Sequence, residues 1–136
     1  MGLIVSGFIG FGTALLFASI LYWLDRYEKE PLLLLGGVFI WGAVIAAGSA
    51  FIINTFFGVG IFIFTNSSFA TDLATGSFVA PLVEETLKGL AVLAVFLVFR
   101  REFDSVLDGI IYAGVAALGF AATENTYYIY TYGFQE

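Results

Sequence analysis

The sequence predicts an all-α, polytopic membrane helix bundle of about four transmembrane helices, with both termini outward. Three observations predict it. Charged residues make up 12% of the 136-residue chain and hydrophobic residues 60%; a water-soluble domain has roughly 25% and 45–50%. So few polar residues cannot cover a water-facing surface. The apolar residues fall in runs near the ~20 residues that a helix needs to cross the hydrocarbon core. Finally, the basic residues outside those runs, Arg26, Lys29, Arg100 and Arg101, all sit in the first and third connections. With four spans those connections share one side, which the positive-inside rule makes cytoplasmic.

The elements follow in order, as one domain over residues 1–136 with spans near 3–24, 32–57, 78–99 and 106–130. The first run lacks a basic start and is too long for a signal-peptide core, so it reads as a span. Met1-Gly2 with Ser6 fits the loose myristoylation pattern, but an apolar helix begins at once and the match reads as chance. The connection from Asp25 to Pro31 is charged and short, and its basic side chains suit lipid phosphates. The second span reaches Phe57, with an extension toward Phe64. Asn66 to Ser77 reads as a polar connection. The third span is followed by the short connection Arg100 to Asp104, which makes the third and fourth spans antiparallel neighbours. Trp23 at one end, and Tyr127, Tyr128, Tyr130 and Tyr132 at the other, read as interfacial anchors. Gly109, Ala113, Ala117 and Ala121 form a small-residue stripe that lets another helix approach closely, either a packing partner or a second copy of the chain.

Composition excludes several functions. A net charge of −6 argues against nucleic-acid binding, which needs clustered Lys and Arg. There is no cysteine, so disulfides and thiolate catalysis are ruled out. There is no histidine either, which removes the commonest metal ligand and a frequent general base.

The informative residues are polar ones placed where hydrocarbon is expected. Glu84, Glu85 and Lys88 lie inside the third run, and Glu124-Asn125 near the end of the fourth. Each buried ionisable group costs about 2.5–3.5 kcal/mol on insertion scales. Glu84 stands 19 positions before Phe103 and Glu124 stands 21 after it. At about 1.5 Å per residue, the two differ in depth by only ~3 Å. Glu84 and Glu85 point about 100° apart, so both cannot aim at one point. Glu84 and Lys88 share a face at i,i+4 and are expected to pair. Pro81 suits a first helical turn. The bland reading is a buried ion pair with a hydrogen-bonding clasp, and for Lys88 a structural role is preferred. For Glu84, Glu85 and Glu124 together a functional role is preferred, because surplus negative charge in a low dielectric needs protons, a metal ion or water. Two tasks suit such a set: activating water for hydrolysis, or passing protons or cations through the membrane. Residue chemistry alone leaves both open, beside a third reading, a non-catalytic interaction module.

Four segments in series carry a resemblance: Asp25-Arg26-Tyr27-Glu28-Lys29-Glu30-Pro31; Ala80-Pro81-Leu82-Val83-Glu84-Glu85-Thr86-Leu87-Lys88-Gly89; Glu102 to Tyr112; and Gly119-Phe120-Ala121-Ala122-Thr123-Glu124-Asn125. Together they resemble the PrsW-type intramembrane proteases, and the acidic pair with its lysine resembles the wider clan of CAAX-processing and bacteriocin-immunity-type membrane endopeptidases. The resemblance implies a multi-pass protease of the bacterial cytoplasmic membrane that hydrolyses peptide bonds of membrane-anchored substrates such as anti-sigma factors. It implies Glu84 and Glu85 as water activator and ligand or orienting partner, and Glu124 and Asn125 as metal or oxyanion support. It further implies a divalent metal, zinc, with Glu85 and Glu124 among its ligands. Asp104 and Asp108 match a segment near the cytoplasmic face, where Asp108 is expected to cap the fourth helix or line the pathway, and Tyr112 to pack. The family continues into further spans that bring a histidine to the site, so this chain is expected to be incomplete relative to the family.

Overall fold

A computed structural model describes residues 2–25 and 29–133. Arg26, Tyr27 and Glu28 of the first charged connection lie outside the described residues. The first helix, α1, is Gly2–Leu24. A second rod runs unbroken from α2, Leu32–Ile40, through a π-helical segment, Trp41–Ala46, into α3, Ala47–Thr65. Asn66 ends it in the left-handed conformation, φ 48°, which asparagine tolerates better than most residues. Ser67 Oγ then accepts the Ala70 N–H and caps α4, Ser68–Ala74. This helix also continues through a π segment, Thr75–Val79, into α5, Ala80–Val98. The last helix, α6, is Val106–Tyr132.

Among the described residues three helices are long and apolar enough to cross a membrane: Gly2–Leu24, Leu32–Thr65 and Val106–Tyr132. The third expected span appears as α5, 19 residues long and carrying Glu84, Glu85 and Lys88. At 34 residues the second rod is about 50 Å long, well beyond a ~30 Å core, so it tilts or projects.

The polar stretch 66–77, expected as a connection, is instead a two-residue turn followed by helix. Its Ser67 cap suffices for helix once α3 lies alongside Thr71 and Thr75, while Phe69 and Leu73 face outward. Pro81 is accordingly in the middle of a helical rod. A proline there leaves the carbonyl four residues back without its donor. The π segment just before it absorbs the irregularity, with the Ala80 N–H bonding Thr75 O, five residues back.

α6 is the central helix, buried against α1, α2, the first π segment and α5. Leu35, Val38, Ala91, Val95, Ile111 and Val115 form the main apolar cluster beside it, and Ala46, Ala50 and Phe120 a second one. The rod meets α6 backbone to backbone: a Cβ on Gly119 would overlap Phe39 O, and one on Gly42 would overlap Ala116 O. The first π segment adds a polar clasp. The Ala47 N–H bonds Gly42 O rather than its ordinary i−4 partner, Ala43 O, and Ala43 O accepts the Thr123 hydroxyl at 2.6 Å.

Candidate carboxylate centre

Glu84 comes from α5 and Glu124 from α6, and Glu84 lies within electrostatic reach of the Glu124 carboxylate. Glu124 is the charge that acts most strongly on the Glu84 carboxyl, followed by Lys88 and Glu85. A third helix contributes a residue that the sequence reading passed over. The Asn54 side chain on α3 lies beside the Glu84 carboxyl, while its own Oδ1 is buried without a partner. Its signal was present: a lone amide in an apolar run is as conspicuous as a carboxylate. Tyr128, one turn beyond Glu124, also lies within the field of both acids.

The second member of the acidic doublet faces elsewhere. The Glu85 side chain is 74% exposed, and Glu85 Oε1 accepts from Lys88 Nζ at 2.8 Å. The expected pair of Glu84 with Lys88 is therefore replaced by an i,i+3 pair with Glu85. Lys88 Nζ lies 4.3 Å from the centre of the Phe120 ring; this cation–π contact holds the ammonium to one side while Glu84 turns to Asn54 and Glu124. Asn125 is exposed on the adjoining face of α6. Trp41 Nε1 donates to Leu87 O at 3.0 Å, fixing α5 against the long rod one residue before Lys88.

The other end of the bundle holds a second polar cluster. Asp25, Glu30 and Asp108 are 3%, 6% and 5% exposed. Asp108 completes a capping box: Ser105 Oγ accepts the Asp108 N–H, and Asp108 Oδ2 accepts the Ser105 N–H at 2.7 Å. It also accepts the Asp104 N–H. Asp25 Oδ2 accepts the Glu30 N–H at 3.0 Å. Tyr112, expected only to pack, is fully buried and also donates its phenol to Glu30 Oε2. Burial lifts the Glu30 carboxyl above the ordinary carboxylate range; the Tyr112 hydrogen bond opposes this, and Asp108 and Asp25 add to it.

A divalent metal was tested against these residues. Catalytic zinc sites use three protein ligands. Among the described residues no group of three or more His, Cys, Asp or Glu side chains is arranged to hold a metal ion. Glu84, Glu124 and the unpartnered Asn54 Oδ1 offer two carboxylates and a weakly binding amide oxygen but no imidazole or thiolate, so the donor set does not fit a catalytic zinc, and Glu85 is engaged with Lys88.

Comparison with known proteins identifies the family. The model of the family described as "PrsW family intramembrane metalloprotease" matches residues 30–135. A protein named Protease PrsW from Geobacillus kaustophilus is 33% identical over 130 residues, covering 96% of this chain and 53% of the relative. Its namesake in Clostridioides difficile is 34% identical over 114 residues, covering 82% and 46%. That of Bacillus subtilis is 33% identical over 132 residues, covering 96% and 55%. The chain spans about half the length of these curated relatives. No solved structure matches it. With its apolar helices, this is an integral membrane protein of bacterial type, and the chain belongs to the PrsW family of intramembrane metalloproteases.

Proposed function

We propose that the chain carries the carboxylate part of an intramembrane peptidase centre acting on membrane-anchored protein substrates, with anti-sigma factors the substrates that the resemblance implies. The observation that carries this reading is that Glu84, Glu124 and Asn54, from three helices, lie within reach of one another in a bundle of apolar helices. Glu84 takes a proton from water as the water oxygen attacks the scissile carbonyl; Glu124, protonated at the outset, gives its proton to the leaving amine as the C–N bond breaks, and the proton on Glu84 then passes to Glu124 to reset the pair. Asn54 holds the Glu84 carboxyl in one orientation. Asn125, exposed beside Glu124, donates to the developing oxyanion of a substrate arriving from the lipid side. A divalent metal at this centre requires donors beyond the two carboxylates. Lys88 and Glu85 fix the helix face, and Asp108 fixes the start of α6.

The test is cleavage of a membrane-anchored peptide by the reconstituted protein. Glu84→Gln and Glu124→Gln are each expected to lower turnover by about 10²–10⁴-fold, the range for a general acid or base. Glu85→Gln, at an exposed ion pair, is expected to retain most of it. Undiminished cleavage by either of the first two variants would refute the assignment.

A further inference from the structure

Among the described residues two buried side-chain polar atoms have no hydrogen-bond partner, Asn54 Oδ1 and Thr75 Oγ1. They belong to one seam. Thr75 is in the second π segment, and its hydroxyl lies 3.7 Å from where a Gly58 side chain would begin. Gly58 is one turn from Asn54 on the same face of α3, and Asn54 in turn lies beside Glu84. Thr75, Asn54 and Glu84 thus lie in order along one seam. A buried donor or acceptor left unmade costs about 1–3 kcal/mol. Water is the ordinary solution where several such groups share a space. Gly58 faces Thr75 across this seam. A methyl there would make ordinary contacts at 3.7 Å with Thr75 and 3.9 Å with Thr71, and anything longer fills the gap.

We infer that Asn54 and Thr75 line a water path, entering between α3 and the second π segment, that supplies Glu84. This rests on the hydrolase reading above, since peptide hydrolysis consumes one water per bond. The water oxygen ends in the new carboxyl and its hydrogens are shared between the products. A centre surrounded by hydrocarbon therefore needs a route for that water.

The chain has no cysteine, so single-cysteine variants report on water directly. A small methanethiosulfonate reagent reacts with the thiolate, which forms only where water reaches. In the reconstituted protein, Thr75→Cys and Asn54→Cys are expected to react at least about tenfold faster than Phe51→Cys on the exposed apolar face of α3. Adding Gly58→Leu is expected to suppress the reaction at Thr75→Cys, and Gly58→Ala to leave it. Thr75→Cys is close in shape to threonine and carries the test if Asn54→Cys does not fold. Rates equal to the Phe51→Cys control, or indifference to Gly58→Leu, would overturn the path. Labelling requires no catalysis. A protein that labels as expected but cleaves nothing sinks the hydrolase reading alone; one that cleaves but does not label sinks the path alone.

Discussion

Gly119→Ala tests whether one helix crossing sets the carboxylate centre. A Cβ at this position overlaps Phe39 O and lies 3.0 Å from Phe39 C and 3.1 Å from Ala43 N. These are backbone atoms, which have no other rotamer to adopt. Non-bonded carbon packs at about 3.5–4.0 Å, so the rod and α6 must part by about an ångström at the crossing. Overpacking of this kind costs about 1–3 kcal/mol, offset by up to about 1 kcal/mol because alanine favours helix over glycine. Thr123, one turn further, then loses its 2.6 Å bond to Ala43 O, and Glu124 moves with it. A misplacement near 1 Å at a reacting centre costs roughly 10²-fold in rate. The assay is thermal unfolding in detergent paired with substrate cleavage. Gly48→Ala is the control, since a Cβ there meets nothing within 4 Å; it is expected to be neutral or slightly stabilising. If Gly119→Ala is as stable and as active as Gly48→Ala, the crossing does not position the site.

Two further outcomes follow from single contacts. Thr123→Val keeps the side-chain shape and removes the donor to Ala43 O. It is expected to lower stability by about 1 kcal/mol, with Thr123→Ser near wild type, as read by thermal midpoints. Glu30 gives a pH dependence. Its folded carboxyl is raised above the ordinary 4.5, so the folded state binds the proton more tightly than the unfolded chain. Its contribution to stability is full below that ordinary value and is lost as pH rises through the folded one. Asp25, Asp108 and Tyr112 face it, and Lys29, Arg101, Glu102 and Asp104 line the cleft of about 210 Å³ outside. Glu30→Gln fixes the neutral state and still accepts from Tyr112. It is expected to flatten the midpoint-against-pH curve above 4.5 and raise its upper end. An unchanged slope would show that Glu30 is not the titrating group.

The spans were legible because a long apolar run carries its own signal, independent of what packs beside it. The meeting of Glu84 and Glu124 was legible because only a short turn separates α5 from α6, so counting residues from Phe103 fixes depth. Lys88 was not legible in the same way. Its spacing permits a pair with Glu84 or with Glu85, and the choice is made by Phe120 and Asn54, on two other helices. The burial of Asp25 and Glu30 was likewise hidden, because a charged juxtamembrane connection looks the same whether it faces water or folds back onto Tyr112. Helix over residues 68–77 was missed because its polar composition matches that of a loop, and only Ser67 announces it.

Asn54 shows most clearly where counting stops. Its pairing with Glu84 depends on the register between two rods joined at Asn66, and each rod contains a π segment. A π turn takes up one residue more than an α turn, which displaces everything after it by about 100° relative to a regular helix. A regular helix running on from Ser68 would therefore bring Val83, not Glu84, to the face that meets Asn54. The second π segment thus does two things at once: it accommodates Pro81, and it decides which residue of the Val83-Glu84-Glu85 run enters the bundle. The first does the same for the opposite wall, leaving Ala43 O free for Thr123, one residue before Glu124. The two carboxylates converge because of two local irregularities that hydrophobic periodicity, read as a uniform 3.6-residue repeat, averages away.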